Sequence, residues 1–279
     1  MFEITDIASL QNQVRHWKAQ QQRLAFVPTM GNLHQGHLQL IQQAKSYGDK
    51  VIVSIFVNPL QFPPGTDFEQ YPRTLTEDTK KLEALGIDVL FAPEMEDVYP
   101  QDLEKTTKVA VPELSDILCG LFRPGHFVGV TTIVAKLFNL VQPDIAVFGE
   151  KDYQQLLIIK KMVADLGFPV EIQSAPTVRE SDGLAMSSRN QYLTEKERET
   201  APLLYQTLLS AKQQIRSGTT VAEIESNAMQ ALKQAGFKPD YVSIRKAQSL
   251  EPVTDVDAPL VILAAAWLGK ARLIDNITV

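Results

Sequence analysis

Along the first two thirds of the chain, short β-rich apolar runs alternate with longer stretches of helical spacing. Leu24-Ala25-Phe26-Val27 reads as a buried strand, and His37 to Ala44 as the helix after it, with Leu38, Leu40, Ile41 and Ala44 near one face. Val51 to Val57 is a near-continuous apolar run, the mark of a parallel-sheet strand covered on both faces. Thr76 to Leu85 predicts a helix stopped by Gly86, and Ile87 to Phe91 a short strand. Thr131 to Val141 predicts a helix and Ile145 to Phe148 a strand ending at Gly149. Gln154 to Leu166 predicts a helix stopped by Gly167, and Val170 to Ile172 a further strand. Strand, helix, strand at this spacing implies an α/β fold with a doubly wound parallel sheet. Ligands of such sheets bind beyond the strands' carboxyl ends, which directs attention to the segments after Val27, Val57 and Phe148.

The pattern changes near residue 190. Thr194 with Glu197 forms a possible capping box, followed by a long amphipathic helix carrying Leu204, Leu208, Ala211 and Ile215 on one stripe. A second helix runs from Val221 to Ala235 and ends at Gly236. Tyr241 to Ile244, Leu260 to Leu268 and Arg272 to Ile274 read as strands. This predicts a smaller α+β domain over 181–279 after an α/β domain over 1–180.

Composition changes the picture only by exclusion. The 279 residues are 44% apolar and 22% charged, ordinary for a globular chain, and suggest about two domains. The formal charge of −6 argues against a nucleic-acid grip through phosphate neutralisation. The apolar run Ala258 to Leu268 has 11 residues, against roughly 20 for a membrane-spanning helix. Glu3 and Asp6 stand where a secretory signal would be apolar, and the single Cys119 can form neither an internal disulfide nor a thiolate zinc site. Cytoplasm is the expected location.

Five segments carry chemistry. Pro28 to His37 holds His34 and His37 three residues apart at a helix start, where imidazoles and backbone N–H groups can donate to phosphate and where Gly31 and Gly36 allow close backbone approach. A surface turn with two incidental histidines is the plainer alternative. Asn58 to Phe62 offers Gln61 at a strand's carboxyl end, and the polar stretch Pro63 to Asp67 reads as a lid or a surface loop. Phe148 to Gln155 offers Gly149 under a nucleotide ring, Lys151 for phosphate, Asp152 for ribose hydroxyls and Gln155 on the first helical turn; a charged surface turn explains them equally. Val178-Arg179 and Met186-Ser187-Ser188-Arg189 supply hydroxyls beside a guanidinium, a compact set of phosphate donors, though Ser-Ser-Arg by itself is common in ordinary loops. Arg123 to Phe127 is a pocket-rim loop or, through His126, a structural hydrogen-bonder. Neither a Walker loop nor a Ser–His–Asp set is apparent.

His34-x-Gly-His37 after an early strand, with Met186-Ser-Ser-Arg189 downstream, resembles the paired signatures of the HIGH/KMSKS nucleotidyltransferase superfamily. More narrowly, Pro28 to His37, Ser54 to Phe62, Tyr71-Pro72-Arg73, Arg123 to Phe127, Lys136 to Gln155 and Asp182 to Leu193 resemble the pantothenate synthetase (pantoate–β-alanine ligase) family over most of the chain. The resemblance implies a Rossmann-like first domain with a C-terminal domain as lid, a homodimer, and the use of ATP and Mg²⁺. It implies an AMP-forming condensation of pantoate with β-alanine through a pantoyl adenylate. By motif, Met30, Gly31, Asn32, Leu33, His34, Gln35, Gly36 and His37 should contact ATP, with His34 and His37 on the phosphates and His37 as proton donor. Gly149, Glu150, Lys151 and Asp152 should cradle the nucleotide, Val178 should meet adenine through its backbone, and Met186, Ser187, Ser188 and Arg189 should close over the phosphates. Gln61 and Gln155 should hold pantoate, and Glu77 and Asp78 should lie near Mg²⁺, though solvated acids starting a helix explain them as well.

Two departures stand out: Cys119 occupies a position where the family pattern suggests an acid, and Pro63-Pro64 would stiffen the lid loop. Two competing functions remain at this level. One is a nucleotidyltransferase acting on a phosphorylated acceptor; the other is a nucleotide-sensing or RNA-binding module that has lost the chemistry.

Overall fold

A computed structural model describes residues 1–62, 68–254 and 258–279. The predicted lid segment Pro63 to Asp67 lies outside the described residues. The chain forms two compact units, Met1–Glu150 with Ile158–Pro176, and Lys151–Leu157 with Thr177–Val279.

The first unit is a six-stranded, wholly parallel sheet with flanking helices. In chain order its elements are β1 (Phe2–Ile4), α1 (Ile7–Ala19), β2 (Leu24–Thr29), α2 (Gln35–Ala44), β3 (Lys50–Ile55), α3 (Leu75–Leu85), β4 (Val89–Phe91), α4 (Met95–Val98), α5 (Cys119–Phe122), α6 (His126–Val141), β5 (Ile145–Gly149), α7 (Tyr153–Leu166) and β6 (Glu171–Ala175), with α7 beginning in the second unit. The strand order is β1-β4-β3-β2-β5-β6. From β2 the chain winds outward through β3 and β4 and then returns to β5 on β2's other side, so the topological switch lies between the carboxyl ends of β2 and β5. Ala25, Phe26 and Val27 are fully buried because sheet and helices cover both faces.

The N-terminal pair β1–α1 was not legible as elements. Asp6 caps α1, accepting from Ser9 N–H at 2.8 Å, and Leu10, Val14 and Trp17 form its buried stripe. Helix α6 begins five residues earlier than its apolar pattern predicts, so His126 lies inside its first turn rather than on a loop. The Thr131 hydroxyl is tied to the Phe127 carbonyl at 2.8 Å and the Val109 carbonyl at 2.6 Å, which draws the preceding turn into the helix. Gly86, with φ +64°, ends α3 as predicted.

In the second unit, α8 (Glu195–Thr200), α9 (Leu203–Arg216) and α10 (Val221–Gln234) precede an antiparallel sheet of β7 (Lys238–Lys246), β8 (Leu260–Leu268) and β9 (Ala271–Thr278). The Thr194–Glu197 capping box is present, Thr194 N–H donating to Glu197 at 2.8 Å. The single long helix expected here is instead two, broken at Pro202, which lacks the N–H a continuous helix needs. Leu204, Leu208 and Ala211 pack on Ile262 and Ala264 as the stripe predicts.

Candidate active site

The turn after β2 is built by its backbone. Gly31 has φ +80°, and an added Cβ would lie 3.0 Å from Ile55 and 3.2 Å from Asp78, so a side chain is disfavoured by both backbone and neighbours. Asn32 and Leu33 donate their N–H groups to Asp78 at 2.7 and 2.8 Å, and the Thr74 hydroxyl donates to the same carboxylate at 3.0 Å. Lys81 closes the brace, donating to the Leu33 carbonyl at 2.6 Å with its ammonium 3.6 Å from Asp78. Asp78 is fully buried and both its oxygens are engaged. Its work is to hold the turn. This is the physical objection to the expected metal role for Glu77 and Asp78: Asp78 is already spent, and Glu77 is an exposed residue in the first turn of α3.

His34 is the N-cap of α2. Its Nδ1 accepts from Gly36 N–H at 3.1 Å, and His37 Nδ1 accepts from His34 N–H at 3.3 Å, so two imidazoles play the parts of Ser and Glu in a capping box. The rings lie 4.1 Å apart, centroid to centroid. An Nδ1 that accepts carries no proton. Each neutral ring therefore holds its proton on Nε2, as a hydrogen-bond donor.

Asn58 is the hub of the second segment. Its Nδ2 donates to Gln61 Oε1 at 3.2 Å and to the Gly129 carbonyl at 3.0 Å, while its Oδ1 accepts from Tyr99 Oη at 2.8 Å. With Oε1 engaged, the Gln61 amide presents Nε2, which meets Met30 Sδ at 2.8 Å. Two of the predicted segments thus meet within the first unit. Gly129 permits the approach, since a Cβ there would sit 2.2 Å from the Leu60 carbonyl oxygen. His126 Nδ1–H donates to the Gln61 carbonyl at 2.7 Å and Nε2 accepts from Arg123 at 3.1 Å, so His126 is a structural hydrogen-bonder. Burial raises the Tyr99 phenol well above its ordinary value and lowers the Lys136 ammonium, whose Nζ donates to the Val98 carbonyl.

Gly149 ends β5 beside β2's neighbour helix, with an added Cβ 3.7 Å from Leu40, and Glu150 accepts from the Ser174 hydroxyl at 2.8 Å. In the second unit Lys151 is half-buried, 3.8 Å from Asp152, and Gln155 follows on the first turn of α7. Val178 and Met186 face each other across a short hairpin, Met186 N–H donating to the Val178 carbonyl at 2.9 Å. Ser187 accepts from Arg189 N–H at 3.3 Å, which turns Ser188 and Arg189 into a tight helical loop. Sequence reasoning missed Asn58 as hub, Lys81 and Thr74 as brace, and Asp275 and Asn276 altogether. An Asn immediately before Pro59 is the one local signal, a capping turn, that pointed at the hub.

A family model described as pantoate-beta-alanine ligase matches residues 3–278. A curated relative from Idiomarina loihiensis, named pantothenate synthetase, is 55% identical over 96% of this chain and 95% of its own. One of the same name from Shewanella loihica is 52% identical over 100% and 99%. The crystal structure of pantothenate synthetase from Thermus thermophilus is similar at TM-score 0.93, 46% identity and 99% coverage of both chains. A ligase from Francisella tularensis, complexed with beta-gamma ATP and beta-alanine, is similar at TM-score 0.84 and 36% identity, covering 99% of this chain and 97% of that one.

Proposed function

The chain belongs to the pantoate–β-alanine ligase family, and from that premise we propose how its residues carry out an ATP-dependent condensation of pantoate with β-alanine. A pantoate carboxylate oxygen attacks the α-phosphorus of ATP. The bond to the bridging oxygen breaks, and pyrophosphate leaves. The acyl carbon of the resulting pantoyl adenylate is then attacked by the β-alanine amine; the carbon–oxygen bond to AMP breaks, the nitrogen loses its proton, and pantothenate is released.

The first step needs alignment and charge stabilisation more than covalent help. His34 and His37 supply Nε2–H donors to the phosphates, a role supported by the engagement of both Nδ1 atoms. That paired cap is the observation that carries the reading. In this tautomer His37 donates a hydrogen bond from Nε2–H to an oxygen of the departing pyrophosphate and keeps its proton. Lys151 adds a point charge, and Met186, Ser187, Ser188 and Arg189 add hydroxyl and guanidinium donors. Gln61, its amide orientation fixed by Asn58, and Gln155 hold pantoate. Gly149 leaves room for the nucleotide, Asp152 accepts from ribose, and the Val178 backbone meets adenine. The C-terminal domain over 181–279 serves as the lid that shields the adenylate from water.

Magnesium would accompany ATP here, but Asp78, with both oxygens already engaged, does not fit as its ligand. A homodimer and a cytoplasmic location are also part of the proposal. The exposed Leu121 and Phe122 of α5 suit a contact between copies, and among the described residues no helix is long and apolar enough to cross a membrane.

The test is pantoate-dependent exchange of pyrophosphate into ATP with β-alanine omitted. Exchange is expected, and Lys151→Ala should lower it by about 10²-fold or more, as loss of a major electrostatic donor does. Exchange that ignores pantoate but answers to a phosphorylated acceptor would overturn the reading in favour of a nucleotide transferase.

A further inference from the structure

A chain of polar contacts in the second unit, built on the buried Asp275 and Asn276, links two of the donor-bearing segments. Arg179, at the root of the Val178–Met186 hairpin, donates to Asp275 through both terminal nitrogens, at 2.7 and 2.9 Å. It also donates to the Gly183 carbonyl at 3.0 Å, and its guanidinium lies 3.6 Å from the Tyr205 ring centroid. Gly183 makes that stack possible, since a Cβ there would come within 2.9 Å of Tyr205. Asp275 is 3% exposed, and its Oδ1 accepts from Asn276 N–H at 2.8 Å. Asn276, itself buried, donates through Nδ2 to the Lys151 carbonyl at 2.9 Å.

The path runs from the hairpin root, through adjacent residues of β9, to the backbone of Lys151. The reaction does not use these groups directly: Asp275 is saturated by Arg179 and Asn276, and the Asn276 amide donates to main chain. A planar bidentate pair fixes direction as well as distance. Lysine is a long flexible stem, so the place of its ammonium depends on how firmly its backbone is held.

We propose that Asp275 and Asn276 are positioning residues for adenylation: the Arg179–Asp275–Asn276 chain fixes the Lys151 backbone relative to the root of the Val178–Met186 hairpin, so that the Lys151 ammonium is carried at a set place beside the strand that leads into Ser187, Ser188 and Arg189. The inference rests on the ligase reading above and assigns that site a frame.

The experiment is a double-mutant cycle on the full chain, read by pantoate-dependent pyrophosphate exchange. Asn276→Asp keeps the shape but turns an oxygen toward the Lys151 carbonyl. It should lower exchange kcat about tenfold or more, because misplacement of about 1 Å can cost 10²-fold, while the KM for pantoate stays within about twofold. In a Lys151→Ala background the same replacement should cost less than about twofold, the two residues acting as a unit. Asn276→Ser, neutral and smaller, gives the same cycle if the aspartate variant does not fold. An equal loss in both backgrounds would mark a merely structural role and overturn the proposal, as would wild-type kcat in both Asn276 variants or in Lys151→Ala. Absence of exchange in the wild type would instead overturn the ligase reading and this inference with it.

Discussion

The histidine turn and the Ser-Ser-Arg turn both offer phosphate donors, yet they are braced in opposite ways. In the first, a buried carboxylate grips the backbone immediately before the donors: Asp78 takes the N–H groups of Asn32 and Leu33, and His34 follows directly. The histidines then lock themselves as helix caps. In the second, the bidentate pair lies at the hairpin root, at Arg179, several residues before the half-exposed Ser187, Ser188 and Arg189, where Ser187 accepts from Arg189 N–H. A turn gripped next to its donors has its geometry set before a ligand arrives. A turn whose buried brace lies farther back along the chain is set less directly by it. The lesson is that the distance along the chain from buried brace to donor decides which donors are prearranged.

The largest expected effect comes from removing the first brace. Asp78→Ala leaves two buried N–H groups, a hydroxyl and an ammonium without their shared acceptor. Unfolding free energy should fall by about 3 kcal/mol, and pyrophosphate exchange by about 10²-fold or more. Urea denaturation and the exchange assay read the two losses, with Asp78→Asn intermediate. If Asp78→Ala is as stable and active as the parent, the contrast between the two turns is wrong.

The next effect separates capping from chemistry. Serine is a good N-cap but has no imidazole N–H. His34→Ser should therefore be more stable than His34→Ala by about 1 kcal/mol. Both variants should lose about 10²-fold in exchange, as for one oxyanion-type donor. Recovery of exchange along with stability in the serine variant would show that His34 only caps.

The two turns were unequally legible in the sequence. Strands β2, β3 and β5 announce themselves because a buried parallel strand is an apolar run, and the histidine pair stands out by its spacing and its place after β2. The short edge strand β1 does not, being three residues with two of them exposed. The donors were readable because each is a chemical type at a strand end. Their braces were not. Asp78 looks like any acid in a helix's first turn, and only the fold brings it to Asn32, 46 residues away. Asp275 and Asn276 lie in a strand whose partner Lys151 is 125 residues distant, so no local pattern marks them. Long-range satisfaction of buried polar groups is a property of the folded chain.

The smallest effect tests the other end of the Val178–Met186 hairpin, where an exposed pair takes the place of a buried one. Arg198 donates to Asp182 at 2.5 Å, with the two side chains 37% and 38% exposed. The Arg198 hydrogen bond holds the Asp182 carboxyl below its ordinary value of 3.8. A carboxylate depressed in the folded state contributes stability that is fully present above 3.8 and fades as pH falls through the lower folded value. Asp182→Asn should therefore cost less than about 1 kcal/mol at neutral pH, discounted for solvent screening. The gap should close as the buffer is acidified below the ordinary carboxylate value, and shrink in high salt at neutral pH. Asp78 variants should keep their deficit in salt, because a buried brace is screened little. Thermal melts across pH and salt measure both. An Asp182→Asn deficit that persists in acid would assign this stability to packing instead of the ion pair and overturn the account.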